Sequence, residues 1–546
     1  MNFFNRAIKN VTRKLSKSVL LLITFFVIGN FVIIGLGVSN ASTDAKTLTR
    51  KKMRAVVQYS IDYHEVDKYI AGLEDEDEIN EFYEHYPRIT LEDVKEVVKD
   101  ERVKTANTLM NNNFYSVDGG IEYVKLGNKV EEEIENQSNN TTSCYLDENG
   151  QEICESYQYV QPVFGIRSNM FPDMIEFDDG TYTIVEGRFY NQEEIDNAEA
   201  VVVVSKALAE LNGLHIGDTI TIATNNANDR WLKQQLEEIG YEGDFNLELE
   251  VVGIYDSKIK VTPDNQNFDW IQPNENVDNF LLIPGSTVIA STIEYEQASW
   301  DYYASQNPDD EYFQDESHRP SIENNASAYI SDATILLNDP LEVDQFVEDY
   351  NASLGQFKKL DANNEEFERL SRPLDTLSLF SNFIVWLVVI NAIVIITLVT
   401  ALTLKTREYE IGVLLSLGAS KLKIVAQFFV ELSIVAILGF TLSIMSGSVV
   451  ASKVGENILD YQIASSGVED KEEDPWGNDY YDQLWNPDYT TEISLEDLVA
   501  EYHVSVSPLI IGEIYVVGLG IVLVSILIPS MMIMRFNPKK ILMNQN

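Results

Sequence analysis

Four segments of the chain are almost free of charged residues and are long enough to cross a lipid bilayer. They cover residues 18–38, 379–404, 424–451 and 509–534 of the 546-residue sequence. About 20 apolar residues are needed to span the hydrocarbon core as a helix, and a helix satisfies its own backbone hydrogen bonds, as lipid requires. The sequence therefore predicts an α-helical integral membrane protein with four transmembrane helices.

A cleaved signal peptide is the alternative interpretation of the first segment. Ser39, Asn40 and Ala41 would make an acceptable cleavage site. The apolar run is longer, however, than the ~7–15 residues of a signal core, and a long basic segment precedes it. We expect the segment to remain as the first transmembrane helix.

Basic residues near the ends of the spans predict the orientation, because cytoplasmic loops are enriched in Lys and Arg. Residues 1–17 carry a net charge of +5, residues 405–423 carry +2 and residues 535–546 carry +3. All three segments, and thus both termini, are expected on the cytoplasmic side of the membrane. Residues 1–17 also have the pattern of a basic amphipathic helix at the inner membrane surface. Segments 39–378 and 452–508 are then extracellular.

The two extracellular segments are strongly acidic. The whole chain has a net charge of −48, of which the predicted cytoplasmic segments contribute +10 and the spans −2, so −56 lies outside. A solvated surface that keeps a large domain soluble explains this charge, and attraction of a cationic ligand such as a basic peptide is the sharper alternative. We expect no nucleic-acid partner.

The long segment 39–378 predicts an α+β domain followed by a helical stalk. Helical periodicity with a capping box at Thr90 and Asp93 occurs near its start, and strand patterns such as 181–189 and 200–205 follow among further helices. The strands and helices lack the regular spacing of βαβ units, which indicates an α+β fold. Three polar insertions are predicted to be exposed loops or partly disordered excursions: 131–158, 258–276 and 296–327.

The sequence has two cysteines, Cys144 and Cys154, in the stretch SCYLDENGQEIC. The Glu-Asn-Gly between them favours a turn, so the stretch is predicted to be a hairpin whose ends approach each other. A disulfide is permitted outside the cytoplasm. We expect a structural Cys144–Cys154 disulfide, with free thiols as the alternative.

Small and acidic residues mark specific positions within the spans. Small residues recur at every fourth position of the third span, at Gly439, Ser443, Gly447 and Ala451. Such a stripe lets helix backbones approach closely in lipid, and both packing within one chain and a dimer interface are compatible with it. Glu431 and Glu513 are costly in a membrane. We expect Glu431 to pair with a neighbouring helix, and Glu513 to reach the outer interface.

The sequence lacks the motifs of common catalytic sites. It contains no Gly-Lys-Ser/Thr triplet for phosphate binding, no Gly-x-Ser-x-Gly and no His-Glu-x-x-His, and its five histidines are scattered. Its acidic runs lack the pattern of a calcium loop. We expect no catalytic residue, no metal site and no cofactor bound by this chain. If it performs energy-driven work, ATP and Mg²⁺ are handled by a partner.

The stretch KTREYEIGVLLSLGASKLKI, residues 405–424, lies between the second and third spans. Its arginine, its Glu-Ile-Gly and its closing Leu-Gly-Ala-Ser, together with Phe428, Glu431 and Gly439 beyond it, resemble the permease subunits of MacB/FtsX-type ABC transporters, which transmit motion mechanically. Weaker matches to the outer core domain of that family are EGRFY (186–190), HIGDTI (215–220) and LIPGST (282–287). The order of these motifs and the topology make the resemblance specific.

The resemblance implies that residues 405–423 form a coupling helix that docks on an ATPase subunit. The residues assigned to this role are Arg407, Glu408, Glu410, Ile411, Gly412, Leu414, Leu415, Gly418, Ala419 and Ser420. Ile411, Leu414, Leu415 and Gly418 share one helical face, which suits a helix lying against a partner or the inner membrane surface. Ser420 is placed to cap the third span. A tight helical hairpin between two spans is the alternative.

The resemblance further implies a separate ATPase subunit and a second permease subunit, identical or different. It leaves open whether an extracellular adaptor or membrane-fusion-like protein joins them. Family members handle antimicrobial peptides, macrolide-like drugs, toxins or lipoproteins, and the acidic exterior favours a cationic or peptide substrate. The first alternative is an FtsX-like regulator of an extracellular cell-wall hydrolase that transports nothing. The second is a stand-alone receptor without an ATPase.

Two departures from the family pattern are relevant. MacB itself has a fused N-terminal ATPase, whereas this sequence starts at the amphipathic helix, so we expect the ATPase to be a separate subunit. The outer segment 452–508 is longer than the usual link, and it interleaves Trp476, Tyr480, Tyr481 and Trp485 with acidic residues. Exposed aromatic residues are enriched at contact surfaces. We therefore expect this segment to pack on the main outer domain or to bind a partner, with a plain solvent loop as the alternative.

Overall fold

The structure, a computed structural model, divides into two compact units. The membrane unit comprises residues 1–52, 365–470 and 492–546, and the extracellular unit comprises residues 53–364 and 471–491. The residues that the structure describes are 9, 11–13, 15–73, 75–136, 140–146, 152–158, 161–224, 246–264, 267–330, 332–362, 364–466, 480, 489, 499 and 501–535.

The helices of the described residues are named here in chain order. They are α1 (Leu15–Lys52), α2 (Tyr63–Ile70), α3 (Glu76–Glu84), α4 (Leu91–Val98), α5 (Lys129–Asn136), α6 (Ile175–Asp178), α7 (Gln192–Asp196), α8 (Lys206–Asn212), α9 (Gly285–Gln306), α10 (Glu311–Gln314), α11 (Ile322–Tyr329), α12 (Val343–Asn351), α13 (Glu365–Thr406), α14 (Glu408–Ser416), α15 (Lys421–Ser466) and α16 (Pro508–Arg535).

The strands of the same residues are named in the same way. They are β1 (Val56–Ile61), β2 (Val103–Asn107), β3 (Met110–Phe114), β4 (Asn140–Leu146), β5 (Glu152–Gln158), β6 (Phe164–Asn169), β7 (Tyr182–Gly187), β8 (Val201–Ser205), β9 (Thr219–Ala223), β10 (Asn246–Ser257), β11 (Phe280–Pro284), β12 (Ala333–Leu337) and β13 (Lys358–Asp361).

Four helices among the described residues are long and apolar enough to cross a membrane, which confirms the prediction of four spans. They lie in α1, α13, α15 and α16. The first three continue as helices beyond their apolar parts. In α1, for example, residues 39–52 contain no glycine or proline that would end the helix. The helix α13 runs through Pro373 without a break.

The membrane unit has its own apolar core, in which α1 packs against α15. Phe25 of α1 and Phe440 of α15 meet edge to face with ring centroids 5.6 Å apart, and both side chains are buried. Phe440 also lies over Gly518 of α16, where an added Cβ would come within 2.1 Å of the ring. Ala392 of α13 belongs to the same core. Four spans therefore share one packed interior.

The extracellular unit contains two larger sheets and a hairpin. Sheet A is antiparallel and has the order β13-β1-β12-β2. Sheet B is mixed, with the order β3-β6-β11-β8-β10-β7, and β9 pairs with β10. Helices α2, α4 and α12 cover the core of sheet A, whereas both faces of sheet B are buried. The predicted α+β fold of the outer domain is confirmed.

Local signals in the sequence account for several of these elements. The predicted capping box is present at the start of α4, where Thr90 Oγ1 accepts from the Asp93 amide and the Asp93 carboxylate accepts from the Thr90 amide. The run of valines at 201–204 forms the fully buried centre of β8. Gly213 ends α8 in the left-handed conformation that glycine favours.

Two of the predicted exposed loops were wrong. Residues 131–158 contain most of α5 and both strands of the β4–β5 hairpin, and residues 296–327 are largely helical. Residues 296–327 include the end of α9, all of α10 and most of α11. Trp300 packs against the rings of Tyr312 and Phe313 at 5.2 and 4.8 Å, and Arg319 pairs with Asp301. These contacts depend on packing between α9 and the residues that follow it, which a polar composition does not reveal.

Candidate functional site

The short helix α14 lies at the expected coupling position between α13 and α15. Glu408 and Glu410 occupy its first turn, where negative charge is favoured by the helix dipole. Gly418 has φ +85°, and its amide donates to the Leu415 carbonyl, which ends the helix. Ser420 Oγ accepts from the Lys423 amide at 3.4 Å. Ser420 thus has the capping role at the start of α15 that the sequence predicted.

One face of α14 is packed into the membrane unit. Ile411 is buried with Leu404 of α13 and Phe428 of α15, and Leu414 and Leu415 pack against the same cluster. Gly412 is also buried. The apolar face that the sequence assigned to a partner or to the membrane surface therefore lies against the chain's own helices.

The opposite face of α14 is accessible. Glu410 and Ser416 are exposed, and the exposed fractions of Tyr409 and Leu417 are 52% and 79%. Glu408 is half-buried. Beyond the helix end, Gly418 and Ser420 are exposed and Ala419 is half-buried. Of the ten residues assigned to coupling, the accessible ones are thus mainly Glu410, Gly418 and Ser420.

A buried ion pair fixes the start of α14 to α15. Arg407 Nη1 donates to Glu431 Oε2 at 2.7 Å, and Gln427 Nε2 donates to Glu431 Oε1 at 3.0 Å. The side chains of Arg407 and Glu431 are only 8% and 10% exposed, and the guanidinium lies 5.5 Å from the centroid of the Phe428 ring. A charge inside a membrane protein needs such partners. Glu431 therefore has the neighbouring partner that the sequence predicted.

Arg407 was assigned to contact with the ATPase subunit, but its side chain is buried. Its guanidinium faces the interior of the unit, whereas a residue that contacts a partner must be accessible. Sequence reasoning missed Gln427 altogether. The available signal was its spacing of four residues from Glu431, which places both side chains on one face of a helix.

A cavity of about 450 Å³ lies beside α14. Its polar lining combines Lys9 and Arg13 from the N-terminal segment with Tyr409 and Glu410 from α14, and Arg407 and Gln427 of the buried ion pair also line it. Ile411, Leu414 and Phe428 form part of its apolar wall. The basic N-terminal segment and the helix α14 therefore line the same concave surface.

The stripe of small residues on α15 faces α1 of the same chain. A Cβ at Gly439 would lie 2.7 Å from Cβ of Phe25, and one at Gly447 would lie 2.7 Å from Cδ1 of Ile33. On the α1 side, a Cβ at Gly29 would lie 2.2 Å from Oγ of Ser443. Ala451 is fully buried. The stripe is thus used for packing within the chain.

The remaining predicted residues are placed as follows. Glu513 is half-buried in the first two turns of α16. In the β4–β5 hairpin the backbone register sets Cys144 directly opposite Cys154. Opposed residues of an antiparallel pair have Cα atoms about 4.5–5.5 Å apart, which is within the range of a disulfide. The disulfide itself stays a prediction. Among the described residues no three His, Cys, Asp or Glu side chains are grouped as metal ligands.

Four spans, a large α+β unit inserted between the first two of them, and a short helix held between the second and third define a multi-pass membrane protein with a large outer domain. Residues 21–349 match the family model of the MacB-like periplasmic core domain, and residues 382–538 match that of the FtsX-like permease C-terminal region. The chain belongs to the MacB/FtsX family of ABC transporter permeases. A permease of this class implies a partner ATPase subunit.

The chain is also similar to three individual proteins. The chain is 25% identical over 550 residues to YclI, an uncharacterised ABC transporter permease of Bacillus subtilis (strain 168), and the match covers 100% of both chains. The crystal structure of the periplasmic region of MacB from Actinobacillus actinomycetemcomitans aligns with 56% of this chain and 88% of its own, at 9% identity and a TM-score of 0.25. The extracellular domain of the noncanonic ABC-type transporter YknZ from Gram-positive bacteria aligns with 50% of this chain and 89% of its own, at 7% identity and a TM-score of 0.20. The assignment depends on the family models.

Proposed function

We propose that this chain transmits ATP-driven movement from a separate ATPase subunit to its extracellular unit, with α14 as the point of contact. The observation that carries the proposal is the way α14 is held. Its apolar face and Arg407 are buried against α13 and α15, while Tyr409, Glu410 and Leu417 remain accessible. Packed interiors transmit displacement rather than absorb it. A force on the accessible face would therefore move the spans together with α14.

The proposed assembly follows from the same role. The chain would pair with a second permease subunit in the plasma membrane of a bacterium, with both termini in the cytoplasm. ATP and Mg²⁺ would bind to the partner subunit, and this chain would not itself be an enzyme. An extracellular adaptor is a further candidate partner.

The proposed substrates are cationic peptides or drugs, whose efflux would make the cell resistant to them. Export of peptides is the other proposed role. The support is electrostatic, since a charge of −56 lies on the two outer segments of the sequence. A field of one sign raises the local concentration of ligands of the opposite sign. Substrate need not pass between the spans in this mechanism, because the moving part is the extracellular unit.

Charge reversal at α14 tests the coupling role. We expect the double variant Glu408→Lys/Glu410→Lys to insert into the membrane normally and to lose coupling between ATP hydrolysis and drug or peptide resistance. The measurements are copurification of the ATPase subunit and its activity in the complex. The matched control is Glu76→Lys/Glu78→Lys, because these two exposed glutamates have the same spacing in the first turn of α3.

Two results would contradict the proposal. Unchanged coupling in the Glu408→Lys/Glu410→Lys variant would show that α14 is only a connection between spans. Failure of solubilised wild-type protein to bring down any ATP-binding subunit at stoichiometric level would remove the transport role. Deletion of the gene distinguishes the FtsX-like alternative, which predicts a cell-wall or division defect without sensitivity to drugs or peptides.

A further inference from the structure

The extracellular unit includes two tyrosines from the segment that joins α15 to α16. Tyr489 is buried among Val56 of β1, Leu336 of β12 and Ile175 of α6. The first two belong to sheet A, whereas α6 connects β6 to β7 of sheet B. Tyr489 therefore lies where the two sheets of this unit are joined.

Polar contacts orient the Tyr489 side chain. Its hydroxyl donates to Glu176 Oε1 at 2.8 Å and accepts from Asn107 Nδ2 at 2.9 Å. Asn107 ends β2, so this hydroxyl bridges sheet A and α6. Arg54 Nη1 also donates to the backbone carbonyl of Tyr489 at 3.3 Å. Burial raises the pKa of the Tyr489 hydroxyl well above its ordinary value, which keeps it protonated as a donor.

The tyrosine completes the surroundings of a buried carboxylate. The side chains of Glu176 and Arg167 are 4% and 3% exposed, and their closest charged atoms are 3.5 Å apart. Asn107 Nδ2 also donates to Glu176 Oε2 at 2.9 Å. A buried carboxylate is costly unless several donors surround it. The Tyr489 hydroxyl is one of these donors, so the site is specific for a phenol at this position.

Tyr480 occupies a second site on the same unit. Its hydroxyl donates to the Glu275 carbonyl at 2.5 Å and accepts from the Val277 amide at 3.2 Å. Its ring is 4% exposed and packs in the core cluster on one face of sheet B, which includes Phe280. Both partners of the hydroxyl are backbone groups, so this site selects a tyrosine by shape and by hydrogen bonding.

We propose that these are two anchor sites, through which the segment between α15 and α16 is bound to the extracellular unit. The extracellular unit is continuous in sequence with α1 and α13, and the two tyrosines belong to the part of the chain that leads from α15 to α16. Acidic side chains on both the segment and the unit repel one another. Buried tyrosines with specific hydrogen-bond partners supply attraction where net charge does not.

Excision of the segment tests the anchoring directly. Protease sites are inserted after residues 470 and 491 of the full-length protein in nanodiscs, and both are cut. Segment 471–491 is expected to stay bound through size-exclusion chromatography, as detected by mass spectrometry. The Tyr480→Ala/Tyr489→Ala variant should release it, whereas Tyr461→Ala, at an exposed tyrosine of α15, should retain it. Release of the segment from the wild-type protein would overturn the proposal.

A milder variant separates the hydroxyl from the ring. Tyr489→Phe keeps the apolar contacts and removes one donor from Glu176. The Ile175 amide, which donates to Asn107 Oδ1 at 3.0 Å, should then exchange with deuterium at least tenfold faster than in the wild type, while Tyr461→Phe changes nothing. Equal exchange in Tyr489→Phe and the wild type would show that the hydroxyl does not anchor the segment.

A consequence for motion rests on the proposed function. In the complex with the ATPase, ATP should change the exchange of the Ile175 amide, and cutting only the site after residue 470 should reduce that change by at least half. An undiminished change would exclude a role of the anchors in transmission. No ATP-dependent change in the uncut complex would contradict the proposed function and would leave the anchoring result intact.

Discussion

At the scale of single residues, the most consequential feature is a pair of buried ion pairs, one in each unit. Arg407 and Glu431 lie in the membrane unit, and Arg167 and Glu176 lie in the extracellular unit. A buried pair contributes little net stability compared with apolar residues, but loss of one partner leaves an uncompensated charge. Such pairs therefore fix geometry more than they add stability.

Removing one residue of the Arg407–Glu431 pair should cost far more stability than removing both. We expect Glu431→Leu and Arg407→Leu each to destabilise the protein by about 3–5 kcal/mol, because the remaining charge is left buried. The double variant should be more stable than either single variant. Thermal unfolding in detergent measures all three. Additive losses in the double variant would mean that the two side chains do not interact.

The double variant also separates stability from coupling. If the pair positions α14, the double variant should fold and yet show weaker coupling of ATP hydrolysis to resistance. Wild-type coupling in that variant would show that apolar packing through Ile411 and Phe428 positions the helix without the ion pair.

At the scale of elements, the sequence predicted those features that depend on local pattern. Apolar length predicted the spans, and the Thr90–Asp93 capping box predicted the start of α4. The order of strands in sheets A and B has no local signal, because each sheet joins strands far apart in sequence. The Tyr489 site combines residues from β2, α6 and the outer segment. Sequence reasoning predicted only that the outer segment packs on the domain or binds a partner.

The packing of α1 against α15 makes a prediction at this scale. Gly439 faces Phe25 so closely that an added Cβ would lie 2.7 Å away, and 3.2 Å from the Leu22 carbonyl oxygen. We expect Gly439→Leu to overpack this contact and to destabilise the protein by about 1–3 kcal/mol. The measurement is thermal aggregation of the detergent-solubilised protein.

The matched control is Gly520→Leu on α16, where an added Cβ meets no atom within 4 Å. It introduces the same side chain into a span at a position with open space, so we expect a stability close to that of the wild type. An equal loss in both variants would show that the effect comes from leucine in a span and not from the α1–α15 contact.

At the scale of the whole molecule, charge is distributed very unevenly. The outer segments of the sequence carry a net charge of −56. The remaining segments are net positive, so the whole chain has a net charge of −48. Self-repulsion of one sign destabilises a compact state, and salt screens repulsion between exposed charges over about 10 Å at 0.1 M ionic strength. Exposed ion pairs contribute only about 0–1 kcal/mol each, so their weakening by salt should not offset the relief of repulsion.

We therefore expect the melting temperature of the full-length protein in neutral detergent to rise as NaCl increases from about 10 mM to about 300 mM, a range over which the screening length falls severalfold. Choline chloride should have the same effect, because screening depends on ionic strength and not on the identity of the cation. A rise with one salt alone would indicate specific cation binding. A fall in melting temperature with both salts would mean that favourable ion pairs such as Arg102–Asp100 outweigh the repulsion. The charges of the acidic exterior would then be balanced locally, which would weaken the argument for a cationic substrate.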